Sequence, residues 1–146
     1  EICACLVGSE MCIRDSICSR YRADATHTVE EAVDSALYAC SVAISKGYAP
    51  IAPHLYLPRC LDDNEPAERA AGTAAGLAFL AVCDEVWQWG KTITEGMAAE
   101  LARAKELGIP IKVYNTLGIP YEQWNSVKLA NDPAYIAECR KAGREL

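Results

Sequence analysis

From Ile17 onward the apolar positions switch between two patterns: short continuous runs, and stretches at three- and four-residue spacing. The first pattern suits buried strands and the second amphipathic helices. Ile17-Cys18-Ser19 reads as the end of a strand whose beginning is lost, and Ser19 to Asp24 as a polar loop. Thr28 with Glu31 three residues later is a capping-box pair. Val29, Ala32, Val33, Ala36, Leu37, Cys40, Ala43 and Ile44 then keep helical spacing up to Gly47. Tyr48 to Pro53 reads as a buried strand and His54 to Glu65 as a loop. Pro66 suits a first helical position, ahead of an Ala- and Gly-rich helix from Ala67 to Val82. Asp84 to Gly90 is a strand with Trp87 and Trp89 on one face. Thr94 to Leu107 is a helix stopped by Gly108 and Pro110, and Ile111 to Tyr114 a further strand. Asp132 is placed to cap a last helix, Pro133 to Ala142. LGIP recurs at Leu107 and Leu117, which reads as two similar turns.

Strands alternating with helices predict an α/β fold of three layers. The expected core is a doubly wound, Rossmann- or flavodoxin-like parallel sheet of four or five strands, the first truncated. In such sheets ligands lie beyond the carboxyl ends of the strands. That rule draws attention to Ser19–Asp24, Pro53–Asp63, Gly90–Gly96 and Asn115–Gly118.

Composition narrows the reading. The chain of 146 residues has room for one ordinary domain, and 51% apolar residues suffice for a core. No apolar run approaches the roughly 18 residues of a membrane span, so no membrane association is expected. Twenty acidic residues against 14 basic give a charge of −6, which disfavours binding to a nucleic-acid polymer but not one small nucleotide. The eight cysteines show no C-x-x-C, and with only two histidines no metal template appears. Cys40 and Cys83 sit in apolar runs, where thiols act as small hydrophobes. A cytoplasmic, reducing setting is expected.

The first residues stand apart. Leu6 to Asp15, LVGSEMCIRD, matches without a break the translation of one reading frame of the transposase adaptor used in sequencing libraries. Residues 1–16 are therefore read as a non-native leader, and residues 17–146 as the domain. Cys3, Cys5 and Cys12 fall in the leader. The cysteines that remain are odd in number, with no pairing pattern.

Glu100 is the most informative single residue. On a helical wheel it falls inside the apolar arc of Met97, Leu101, Ala104, Leu107 and Gly108. A carboxylate on that side is costly unless used or paired; Arg20, Arg22 or a backbone donor would be the structural partner. Thr94 and Gly96 open the same helix, where exposed N–H groups suit an anion. Arg20 and Arg22 are candidates for a phosphate or ribose, or simply a solvated loop. His54 is a candidate acid or a hydrogen-bonded structural residue. Asp62 and Asp63 suit a sugar hydroxyl or a helix cap. Trp89 is a core residue or a base-stacking platform.

Together these residues resemble the nucleoside 2-deoxyribosyltransferase-like superfamily, and within it a bacterial and phage branch of unknown function. That branch carries patterns like I-C-S-P-Y-R, P-x-A-P-H, D-D, C-D-E-V-W-x-x-G and S-x-G-M-x-x-E-x-x-x-A. Here they stand as Ile17-Cys18-Ser19-Arg20-Tyr21-Arg22, Pro50-Ile51-Ala52-Pro53-His54, Asp62-Asp63, Cys83 to Gly90, and Thr94-Glu95-Gly96-Met97-Ala98-Ala99-Glu100 with Ala104. The resemblance runs from about Ile17 to Tyr114. It implies that Glu100 is a nucleophile forming a glycosyl-enzyme intermediate, a step a carboxylate is suited to. It also implies that Thr94, Gly96 and Arg22 or Arg20 hold a phosphate, with Ser19, Tyr21, Asp62, Asp63, Trp89, Gly90 and Met97 around the ligand. Two departures stand out. Arg20 replaces a proline, and the position of the general-acid aspartate, counted back from Asp84, holds Gly76. The resulting expectation is a nucleoside or nucleoside 5′-monophosphate N-glycosidase or 2-deoxyribosyltransferase. It would work through Glu100, with His54 or a cluster acid standing in for the missing acid, no cofactor and no metal. Its partner would be a small nucleoside or nucleotide ligand, and it would form a homodimer or higher homo-oligomer. The alternatives are a non-catalytic protein that senses or sequesters a nucleotide ligand, and a partner-binding domain that packs through Gly72, Ala75 and Gly76.

Overall fold

The computed structural model describes residues 13–123. Four parallel strands form one sheet in the order β2-β1-β3-β4: β1 Arg14–Cys18, β2 Ala49–Ile51, β3 Glu85–Trp89 and β4 Ile111–Tyr114. Helix α1, Val29–Ser45, links β1 to β2. The short α2, Leu57–Cys60, and then α3, Pro66–Leu80, link β2 to β3, and α4, Glu95–Glu106, links β3 to β4. This is the expected doubly wound α/β arrangement, with four strands described. The proposed last helix, Pro133 to Ala142, lies outside the described residues. No helix among those described is long and apolar enough to cross a membrane.

Local chemistry explains the elements. At the start of α1, Thr28 Oγ1 accepts from the Glu31 N–H (3.1 Å) while the Thr28 N–H donates to Glu31 Oε2 (2.7 Å). The helix ends ahead of Gly47, which takes φ +84°, a conformation that costs glycine little. The segment expected to be plain loop, His54 to Glu65, is partly helical: Pro53–Leu55 forms a 3-10 turn and α2 follows at once. Each carries a proline at its start, where a missing N–H leaves no bond unmade.

The sheet separates two apolar clusters. Ile17, Trp87, Trp89 and Tyr114 face α1, where they pack with Ala39, Ala43 and Ala52. Cys18 and Val86 face α3 and α4, against Leu80, Met97, Leu101 and Ala104. Trp87 and Trp89 do share a face, and Trp87 stacks on Tyr114 at 4.2 Å between ring centres. The buried stripe of α1 differs from the expected one. Ala32, Ala36, Ala39 and Ala43 are buried, whereas Val29, Leu37 and Ile44 are exposed. The bulky indoles of β3 fill the space beneath α1, so only small side chains fit between helix and sheet. Leu107, placed in the buried arc of α4, is also exposed.

Strand β1 starts earlier than expected and reaches into the segment read as leader. Asp15 pairs in register with Pro50 on one side and Glu85 on the other. Arg14 lies outside the core and grips Asp84 with both Nε (3.0 Å) and Nη2 (2.9 Å). Asp15 is wholly buried, and neither carboxylate oxygen has a hydrogen-bond partner among the described residues. Burial pushes its pKa up to about 7. Its neighbour Glu85 is also buried but satisfied, by Lys112 Nζ at 2.9 Å and Trp87 Nε1 at 2.7 Å.

The raised pKa of Asp15 has a defined sign. Below about pH 4 the carboxyl is neutral in both folded and unfolded chains and costs nothing by ionising. Between about pH 4 and pH 7 only the unfolded chain ionises, so folding loses stability across that window and bears the full cost above it. Replacing Asp15 by valine is expected to stabilise the fold by roughly 2–4 kcal/mol at pH 8 and by clearly less at pH 5. Chemical denaturation at the two pH values measures the difference; an equal effect at both would mean that ionisation is not the cost.

Candidate functional site

The strand order reverses between β1 and β3. From β1 the chain passes to β2 on one side, then crosses back to β3 on the other. The connections leaving those strands diverge and open a crevice at their carboxyl ends. A cavity of about 230 Å³ lies there. Ser19, Tyr21 and Arg22 enter it from the loop after β1, and Pro53 and His54 from the turn after β2. Leu57, Pro58, Leu61 and Asp63 come from α2 and its exit. Glu68, Arg69, Gly72, Thr73 and Gly76 form the α3 wall, and Thr94 to Met97 with Glu100 the α4 wall.

Glu100 takes its position from its helix. Thr94 caps α4, its Oγ1 accepting from the Met97 N–H at 3.4 Å. Met97, Leu101 and Ala104 then anchor one face in the core beneath. Glu100 projects beside that face and lines the cavity. Burial pushes its carboxyl up to about 7, and a hydrogen bond from the neighbouring Cys18 thiol opposes the shift. Near neutral pH the group is therefore divided between its acid and carboxylate forms. Such a carboxyl is suited to act as nucleophile when ionised or as proton donor when not.

His54 lies within 2.8 Å of Ser19 Oγ through Nε2, which joins the ends of β1 and β2. Burial lowers the imidazole pKa to about 4, so it is neutral at physiological pH. Its Nδ1 is buried and has no hydrogen-bond partner among the described residues. The geometry fits a positioning group and a neutral donor or acceptor. An imidazole with so low a pKa is not an imidazolium at neutral pH and offers only its one ring N–H.

The mouth of the cavity is charged. Arg22 donates from Nε to Asp63 Oδ2 (2.8 Å) and from Nη2 to the Asp63 carbonyl (2.9 Å), so the first loop is tied to the exit of α2. Arg69, on α3, reaches Glu95 of α4 at 3.8 Å, and the Glu95 side chain is almost fully exposed. Glu68 Oε2 accepts from the Asp62 N–H at 2.7 Å. Glu95 and Gly96 lie in the first turn of α4, whose N–H groups have no carbonyl a turn earlier to bond. A side chain added at Gly96 would meet nothing within 4 Å.

Of the residues singled out from sequence, Ser19, Tyr21, Arg22, His54, Asp63, Thr94, Gly96, Met97 and Glu100 meet in this cavity. Arg20, Trp89 and Gly90 do not. They line a smaller cavity of about 140 Å³ that shares Ser19 and adds His27, Lys91, Thr92 and Thr116. Arg20 there is paired with Asp24. Trp89 is buried, donates to Ser35 Oγ at 3.1 Å and packs edge-on with Tyr38, so its ring is held by the core. Asp62 lines neither cavity; its Oδ1 accepts from Asn64 in a local turn. Sequence reasoning missed the wall formed by Leu57, Leu61, Arg69 and Thr73. Arg69 did carry a signal, as the lone base on a helix of small residues. No group of three His, Cys, Asp or Glu side chains among the described residues is placed to hold a metal ion.

None of the curated proteins matches the sequence. Among solved structures, the fold resembles a 2-deoxyribosyltransferase from the psychrotolerant bacterium Bacillus psychrosaccharolyticus. The TM-score is 0.55 and the identity 16%, over 70% of this chain and 72% of that one. At that identity the likeness establishes the fold, with its sheet, crossover helices and crevice. The model of the family described as domain of unknown function DUF7768 matches residues 16–114. That span holds all four strands from Ser16 on, both cavity walls and Glu100, and the chain belongs to this family.

Proposed function

We propose that this chain cleaves or transfers the N-glycosidic bond of a nucleoside or nucleoside 5′-monophosphate, with Glu100 as the nucleophile. The observation that carries the reading is the Glu100 carboxyl, held at the wall of an open cavity with its pKa pushed up to about 7. A carboxylate with little solvation is a good partner for an oxocarbenium-like anomeric carbon. The 2-deoxyribosyltransferase fold supports the same chemistry. Thr94, Gly96 and Arg22 would receive a phosphate where the ligand carries one. Ser19 and His54 would set the sugar's position. A homodimer or higher oligomer belongs to the same proposal. So does a reducing, cytoplasmic setting, which the free thiols of Cys18, Cys40, Cys60 and Cys83 support. The leader reading of residues 1–16 is also kept: an unsatisfied Asp15 inside β1 is foreign to a strand core, and the family match begins at Ser16.

A second reading, ligand binding without turnover, has its own supporting observation. Beyond Glu68 at the mouth, α3 lines the cavity with Arg69, Gly72, Thr73 and Gly76, so no α3 carboxyl stands deeper in it. Calorimetric binding of a nucleotide without any base release would favour this reading.

Incubation of the full chain with deoxynucleosides, ribonucleosides and their 5′-monophosphates is expected to release free base. Glu100→Ala should lower the rate by about a thousandfold or more. Absence of release from every one of these substrates and from nucleosides with a cationic base, with wild type and variant alike, would remove the catalytic reading. The rate should also rise with pH up to about 7 and level off above it, because only the ionised Glu100 attacks. The same ionisation bears on stability. A carboxyl at 4.5 when unfolded and about 7 when folded costs nothing below pH 4 and its full amount above pH 7. Glu100→Gln should therefore gain roughly 2–3 kcal/mol at pH 8 and close to nothing at pH 4, as read by urea denaturation.

A further inference from the structure

Breaking an N-glycosidic bond makes two demands. One group must receive the anomeric carbon, and the nitrogen that departs must be neutralised. Glu100 meets the first demand, on the reading that it is the nucleophile. The side chains around it do not meet the second. On the α3 wall, Gly72 and Gly76 offer no side chain, and Thr73 gives its hydroxyl hydrogen to the Arg69 carbonyl at 2.9 Å. Leu57, Pro58 and Leu61 complete an apolar stretch. The other carboxyl groups lie at the mouth. Asp63 is held by Arg22, Glu68 accepts from a backbone N–H, and Glu95 stands in solvent beside Arg69. His54 is the one deep imidazole, and its Nε2 is engaged by Ser19.

The charge of the lining adds a second constraint. Four carboxyl side chains, Asp63, Glu68, Glu95 and Glu100, face two guanidinium groups, Arg22 and Arg69. Among the described residues no cation acts on Glu100. Tyr21 also lines the cavity, and an aromatic face attracts a cation. A cationic ring would suit the excess of carboxylates, the tyrosine face and the unpaired Glu100 together.

We propose that the bond broken in this cavity joins a sugar to a ring nitrogen that already carries positive charge, as in a pyridinium riboside or an N7-alkylated purine nucleoside. With such a substrate the second demand disappears. A Glu100 oxygen bonds to C1′ while the C1′–N bond breaks. The electron pair of that bond passes to the ring and cancels its charge, so the base leaves neutral with no proton added. Water then attacks the glycosyl ester, the sugar leaves with a hydroxyl group at C1′, the Glu100 carboxylate returns and one proton passes to solvent. The positive ring also holds Glu100 in its ionised form before attack.

The closing experiment compares guanosine with 7-methylguanosine, which differ by one methyl group and its charge, and uridine with nicotinamide riboside. Base release is followed by chromatography at neutral pH with the full chain, and spontaneous hydrolysis is subtracted. The cationic member of each pair is expected to react about 100-fold faster or more, the span a missing general acid leaves open. Glu100→Gln should abolish release from both. A Cβ at Gly76 would meet only Pro53 and Leu57, at 3.9 and 4.0 Å, which is ordinary contact, and Gly76 lines the cavity. Gly76→Asp should raise release from guanosine and uridine by about tenfold or more and so narrow the preference. Equal rates within each pair, with Glu100 still essential, would overturn the preference for cationic bases and leave the Glu100 reading standing. No release from any of these compounds or from deoxynucleosides would overturn both.

Discussion

Parallel pairing of β1 with β2 on one side and β3 on the other is the constraint on which the rest of the structure depends. It places the carboxyl end of β1 at the middle of the sheet, where the crossover connections separate. Cys18, the last residue of that strand, is buried beneath α4 and touches the Met97 carbonyl and the Glu100 carboxyl. Ser19, the next residue, meets His54 from the end of β2. A strand three residues shorter would lose all three of its pairs with β2 and keep only Ile17–Trp87 and Cys18–Gln88 with β3. The surroundings of Glu100 are thus tied to the pairing of the strand that ends beneath it.

Much of this was legible in the chain, for reasons that can be named residue by residue. The capping box at Thr28 and Glu31 and the cap at Thr94 act within one turn, so their geometry follows from spacing alone. Glu100 was visible because a helix converts spacing into direction, and its place within an apolar arc implied a wall rather than open solvent. What escaped depends on distant parts of the chain. The alanine face of α1 is set by the bulk of Trp87 and Trp89, which arrive some fifty residues later. The division of the arginines follows from the way the first loop turns: Arg22 reaches Asp63 while Arg20 falls back on Asp24. Arg69 enters the site because α3 and α4 pack side by side, a contact that no local pattern announces.

Two buried carboxyls show why burial alone does not identify a site. Asp15 and Glu100 both have their pKa values pushed up to about 7, and desolvation is the main cause for each. Asp15 lies at the amino end of β1, wholly enclosed, and its carboxylate oxygens have no hydrogen-bond partner among the described residues. Glu100 lies near the carboxyl end of the same strand, open to a cavity that a ligand can enter, with a thiol donor at its side. A cationic group entering that cavity would stabilise the carboxylate and return the energy spent in desolvating it. The difference between the two carboxyls is therefore access. A raised pKa marks stored free energy, and only a group that a substrate can reach is able to release it during a reaction.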